Sequence, residues 1–304
     1  MEIWVPITIA AAFMQNIRSA TQKHLKGIVG TTGATFVRFG FGFPFACLFV
    51  AIMHFGIGWQ LPDLNSKFLM WIVIGAYAQI AAQIFLLKAF SFSNFTVATA
   101  YSRTEAAQAA LVSFILLSET ISWSAITAIF ITIIGVIVIS LAKSKLGFAG
   151  LLSAFSSKSA QFGLLAGSIF GISATSYRGA SLSLEQGLTE PNFLMQAGVT
   201  LLATITLQSI SLFLWMLYYD PSEITRVRKA WKWGLLAGFT GACASFGWFI
   251  GFTLVSAAII KAVAQVEMLF TYTSSILIFK EKVSRAEVFG CALIVLGILI
   301  LVFG

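Results

Sequence analysis

Ten apolar stretches, near 3–22, 31–54, 68–88, 94–117, 120–142, 161–183, 192–218, 232–255, 257–279 and 284–303, take up most of the chain. Each is close to the ~20 residues that a helix needs to cross the hydrocarbon of a bilayer. Such a segment crosses as a helix because lipid offers no partner to free backbone N–H and C=O groups. The pattern therefore predicts an all-α polytopic membrane protein with ten transmembrane helices. Composition agrees, with 10% of the 304 residues charged, 59% hydrophobic and a mean hydropathy of +0.93; a soluble domain carries about a quarter charged residues. An ordinary soluble enzyme is excluded. The net charge of +8 arises from 19 Lys and Arg against 11 Asp and Glu. These basic residues stand singly or in small groups between apolar runs, so membrane lipids, and not nucleic acid, are the expected macroscopic partner. Cys47, Cys243 and Cys291 lie far apart inside the runs, without the spacing of a zinc site or a disulfide framework, and no metal or cofactor is expected. The opening MEIWVPITIAAAFM has neither a basic leader nor a small-residue cleavage site and reads as a retained first span.

The chain repeats itself. At an offset of 162, Trp71 pairs with Trp233, Glu105 with Glu267, Glu119 with Glu281, Ser122 with Ser284 and Gly135 with Gly297; at 160, Arg18 meets Arg178. Each half, 1–142 and 161–304, therefore reads as a five-helix repeat, with the Ser/Gly-rich stretch 143–160 as linker. An odd number of spans forces the two copies into opposite orientations, the inverted-repeat architecture of many secondary transporters.

Loop charge tests that inversion. Lys23 and Lys26 follow the first span, whereas the matching loop of the second half carries Glu185 and Glu190; Asp63 and Lys67 after the second span are matched by Arg226, Arg228, Lys229 and Lys232. Over alternating sides, one collects 13 basic residues (Lys23, Lys26, Lys88, Lys143, Lys145, Lys158, Arg226, Arg228, Lys229, Lys232, Lys280, Lys282, Arg285) and the other only Lys67. The positive-inside rule places the first group in the cytoplasm and both termini outside. The expected location is a bacterial inner (cytoplasmic) membrane.

The segments LLSETISWSAITAIFITIIGVIVIS and LIFKEKVSRAEVFGCALIVLGILIL resemble the end of each repeat in the EamA-type drug/metabolite transporter superfamily. The shared pattern is an apolar helix, a turn acid (Glu119, Glu281), one or two polar residues, then a helix with a central glycine (Gly135, Gly297); Arg38 matches an arginine common in the second helix. The resemblance implies a five-plus-five helix plan and a carrier of metabolites, and implies termini in the cytoplasm, against the charge bias.

Arg18, Arg38, Arg103, Glu105, Arg178, Lys261 and Glu267 remain inside the predicted spans. A charge at a helix centre costs about 2.5–3.5 kcal/mol on insertion scales, so each needs an interior or aqueous setting. Function is the default reading, with mutual pairing that locks helices as the bland one; Arg38, two turns from its helix end, reads as packing or snorkelling. On an ideal helix Lys261 and Gln265 share a face and Glu267 lies about 120° away. The candidate substrate-binding residues are Arg18, Tyr101, Arg103, Glu105, Arg178, Trp248, Lys261, Gln265 and Glu267, and the symmetric Glu105 and Glu267 are the candidate proton carriers. Glycines recurring every four residues, such as Gly167 and Gly171 or Gly234 and Gly238, read as packing seams, and Gly40, Gly42 and Pro44 as a bend.

The mixture of signs favours a zwitterion or organic anion, an amino acid first, moved by alternating access and coupled to protons. A phosphorylated lipid carrier is the alternative cargo. An intramembrane enzyme would need a compact catalytic grouping, and a channel a filter or ring of like charge; the sequence has neither, so the protein is not expected to be an enzyme. One chain suffices to close a cavity, and a dimer is compatible with the sequence.

Overall fold

The computed structural model describes residues 2–25, 28–92, 102, 105–143, 158–270 and 284–303, and no strand occurs among them. From the N-terminus, α1 is Trp4–Leu25, α2 Thr31–Gly40, α3 Phe43–Ala51 and α4 Ser66–Phe92. They are followed by α5 Glu105–Leu117, α6 Trp123–Lys143 and α7 Lys158–Ser183, then α8 Phe193–Tyr219, α9 Pro221–Lys229, α10 Trp231–Leu254, α11 Ala257–Val263 and α12 Arg285–Phe303. Helix thus falls within every apolar stretch read from the sequence. Among the described residues four helices are long and apolar enough to cross a membrane: Thr32–Gly56, Ser66–Leu86, Phe193–Tyr219 and Trp231–Leu254. Glu105–Leu117, Trp123–Val138 and Val288–Ile300 are shorter apolar helices. The protein is an integral membrane protein.

Local chemistry sets the helix limits. Asn65 Oδ1 accepts the Phe68 N–H at 2.7 Å ahead of α4, and Asn192 Oδ1 accepts the Met195 N–H at 3.0 Å ahead of α8, each satisfying one of the orphan donors of a helix start. The expected bend in the second stretch lies at Phe41 and Gly42, between α2 and α3, and Pro44 sits in the first turn of α3, where a missing N–H costs nothing. Beyond α3 the chain widens into a π-turn over Ile52–Gly56 and leaves it at Gly58, whose φ of +85° suits a residue without a β-carbon. Several hydroxyls inside the helices are satisfied by their own backbone: Thr8 donates to Trp4 O, Thr200 to Gln196 O and Thr253 to Phe249 O.

The fold divides into two compact units, and each draws on both halves of the sequence. The first comprises residues 1–76 and 176–254. In it α10 packs along α1, α8 lies against α2, α3 and α10, and α9 lies on α2. A β-carbon at Gly247 would stand 2.8 Å from Ala11 Cβ, and one at Gly234 2.9 Å from the Phe41 ring, so these glycines are packing seams.

The second unit comprises residues 77–175 and 255–304. Its largest contact is the crossing of α6 and α12. The two glycines that the repeat pairs, Gly135 and Gly297, make this crossing. A β-carbon at Gly135 would stand 2.7 Å from Gly290 O, and one at Gly297 2.9 Å from Ala128 O. Each glycine of the pair therefore faces the backbone of the other's helix.

Candidate functional site: buried charges in two units

The charged segment of the second unit sits on an interrupted helix. Ser256 caps α11, its Oγ accepting from Ile259 N at 3.5 Å, and the helix stops at Val263. The Gln265 N–H then reaches Ala262 O (3.1 Å), the Glu267 N–H Ala264 O (3.0 Å) and the Met268 N–H Gln265 O (2.9 Å) before helix resumes over 266–270. These bonds reach one residue less far back than α-helical ones, so the stretch is tightened. The ideal-helix angles expected for Lys261, Gln265 and Glu267 do not apply across that turn.

Lys261 Nζ stands 3.4 Å from Glu105 Oε2, with side-chain exposures of 19% and 9%. Glu105 opens the described part of α5, and α11 packs directly on that helix. Gln265, fully buried, donates from Nε2 to the Lys261 carbonyl at 3.4 Å, and Glu267 is buried on the next turn. Three of the expected residues, Glu105, Lys261 and Gln265, are thus brought together. Gln108, one turn along α5 from Glu105, donates to Leu164 O at 3.5 Å, and a β-carbon at Gly167 would meet its Oε1 at 2.5 Å. The Gly167 and Gly171 seam therefore serves to bring α7 against α5.

In the first unit, the expected residues fall into structural roles as well as open ones. Arg178 Nη1 donates to Phe252 O at 2.6 Å and Thr253 O at 3.4 Å, so its guanidinium closes the carboxyl end of α10, where the helix dipole favours a cation. Trp248 is buried and its indole N–H donates to Gln15 Oε1 at 3.0 Å, tying α10 to α1. Arg18 is buried on α1. Arg38 is buried at 7% exposure, which of the two readings, packing or snorkelling, agrees with packing. Tyr101 and Arg103 lie outside the described residues.

A model of the EamA-like transporter family matches residues 2–141 and, a second time, residues 157–303. The chain belongs to that family. No curated protein matches the sequence. A solved crystal structure, described only as that of a protein, is similar over 98% of this chain and 95% of its own, with TM-score 0.69 at 16% identity; at that identity the likeness is one of fold. The two EamA-like matches leave 142–156 between them, which overlaps the stretch 143–160 read as a linker.

Two further buried groups organise the first unit of this EamA-like chain. Tyr177 is fully buried, its hydroxyl donating to Gly75 O at 3.0 Å and accepting from Gln208 Nε2 at 3.3 Å. Glu223, in the loop helix α9, is buried and accepts the Gly33 N–H at 3.0 Å, so a carboxylate 190 residues away caps the start of α2. Arg226 Nε donates to the same carboxylate at 2.9 Å, and this bond raises the Arg226 pKa. A hydrogen bond from Ser222, helped by the Arg226 charge, holds the exposed Asp220 carboxyl below its usual range. A clue was present in sequence: Gly30 and Gly33 bracket a helix start, and Glu223 and Arg226 are three residues apart. Nothing in sequence joins the two stretches.

Proposed function

We propose that this EamA-like protein is a secondary active carrier of a small polar metabolite, an amino acid or related zwitterion or organic anion, working by alternating access. The observation that supports it is the Glu105–Lys261 pair, two opposite charges 3.4 Å apart inside an apolar segment. Within a bilayer such a pair is costly to hold and costly to separate, unless something replaces each partner. A zwitterion does this, its ammonium taking the Glu105 carboxylate while its carboxylate takes the Lys261 ammonium. The tightened turn at 264–268 adds polar backbone groups beside the pair, as interrupted helices do in other carriers. Ten spans in two inverted five-helix repeats, 1–142 and 161–304, fit this scheme. So does an orientation with the basic loops in the cytoplasm, and the exposed Trp215, Tyr218, Tyr219, Trp231 and Trp233 around α9 suit a membrane interface. Glu105 and Glu267 are the groups placed to carry protons, and efflux down a proton gradient is the coupling that follows.

The test is counterflow in liposomes holding the purified protein, with labelled amino acids, amines and organic phosphates, with and without a pH gradient. Saturable exchange of a zwitterion that responds to the gradient is expected, and Glu105→Gln lowers it at least about tenfold. Undiminished exchange in Glu105→Gln overturns the role of the pair. Exchange confined to organic phosphates transfers the reading to a phosphorylated cargo.

A further inference from the structure

Arg38 holds a charge that no described residue answers. It is 7% exposed, at the last turn of α2, and its Nε is buried without a hydrogen-bond partner. No hydrogen bond or ion pair reaches its guanidinium from the described residues. Its one described side-chain contact is the face of Phe39, at 4.9 Å from the ring centroid. A second cation stands beside it: a β-carbon at Gly241 would lie 3.3 Å from Arg18 Cδ and 3.4 Å from Arg38 Cγ, so both stems rest on the same bare point of α10. A ring face and a helix C-terminus ease a cation but take up none of its five N–H donors. The Arg38 guanidinium, with a second cation beside it in an apolar unit, meets among the described residues no counter-charge that presents several oxygens at once.

We infer that Arg38, together with Arg18, forms an oxyanion-binding site within the first unit, taking the carboxylate or phosphate face of a bound molecule. The site uses no residue of the Glu105–Lys261 pair, so it stands whether or not that pair carries cargo. The oxyanion comes either from a soluble anion or from the headgroup of an acidic lipid.

The full-length protein in phosphatidylcholine nanodiscs is titrated with inorganic phosphate and with acetate at constant ionic strength, chloride serving as control, while thermal unfolding is followed. A saturable rise in Tm of at least about 2 °C is expected with phosphate or acetate and not with chloride. Arg38→Lys keeps the charge and loses the fork, and weakens the apparent affinity at least about tenfold. Arg38→Met abolishes the response while unfolding no earlier than wild type in chloride, because it removes an unanswered buried charge. If the Met variant does not fold, the Lys variant decides. Nanodiscs of phosphatidylglycerol separate the sources: a raised Tm there without added anion, which Arg38→Lys loses, assigns the site to a lipid headgroup. A response only to soluble anion in phosphatidylcholine assigns it to a soluble ligand. No anion-specific shift in either lipid, or an unaltered shift in Arg38→Lys, overturns the inference.

Discussion

Within their apolar helices the two compact units hold buried charge differently. The second brings a carboxylate and an ammonium together, Glu105 and Lys261, on helices that pack directly on each other. The first buries arginines, and it commits them unequally. Arg178 is spent on the carbonyls of Phe252 and Thr253, whereas the buried Arg38 Nε meets no hydrogen-bond partner among the described residues. A cation bound to backbone carbonyls cannot be exchanged without opening a helix end. A cation paired with a carboxylate can change partners for a ligand that offers the same charges, and one with no partner is completed by the ligand itself. The chemical type of a buried charge therefore says less about its role than does the group that answers it.

The sharpest way to break this comparison is to remove one charge of the exchangeable pair. Glu105→Gln removes the ion pair with Lys261 and is expected to lower stability by about 1–3 kcal/mol, less than the about 3–5 kcal/mol of a fully buried pair because Lys261 is one-fifth exposed. Adding Lys261→Met is expected to restore most of the loss, as unfolding in graded denaturant measures. If the double variant is as unstable as the single one, the pair is not the unit at which the charges act.

A smaller effect is expected from the cap that the first unit builds across the chain. Gly33→Ala places a methyl where the Glu223 carboxylate lies, and loss of the cap costs about 1–2 kcal/mol. Combined with Glu223→Ala, the two losses are expected to add to less than their sum, because both remove one interaction. Full additivity in the same unfolding assay separates Gly33 from Glu223.

The smallest effect lies at the surface of the same loop. The fold depresses the Asp220 carboxyl, chiefly through the Ser222 hydroxyl, so its contribution is present above the ordinary aspartate range and is lost as pH falls through the lowered value. Asp220→Asn is expected to flatten that acid limb of a Tm-against-pH series while leaving Tm near neutrality almost unchanged, since the group is exposed. An identical acid limb in the variant removes Asp220 from the linkage.

Part of the site was legible from the chain alone. Glu105 and Lys261 were singled out because lipid leaves ionised groups so few settings that their presence within apolar stretches is itself informative. The bend near Gly42 was legible because proline and glycine act on the backbone locally. The angle between Lys261 and Glu267 was not, because it presumes an unbroken helix and the hydrogen bonds shorten through 264–268. Glu223 was illegible for a different reason: its partner Gly33 is 190 residues distant, and no local pattern announces which carboxylate will cap which helix.

What the sequence alone determined follows from rules that act within about one helix turn or across one span: helix as the sole secondary structure, the apolar stretches, the repeat and its paired glycines. Desolvated backbone admits little else in lipid, so composition suffices. Tertiary structure decided what each charge does. It set Arg178 on a helix end, Lys261 on Glu105 and Arg38 beside Arg18, and it made each compact unit from both halves of the chain. Those outcomes depend on which helices touch, and contact between distant segments is settled by packing shape summed over many side chains, which no single stretch of residues encodes.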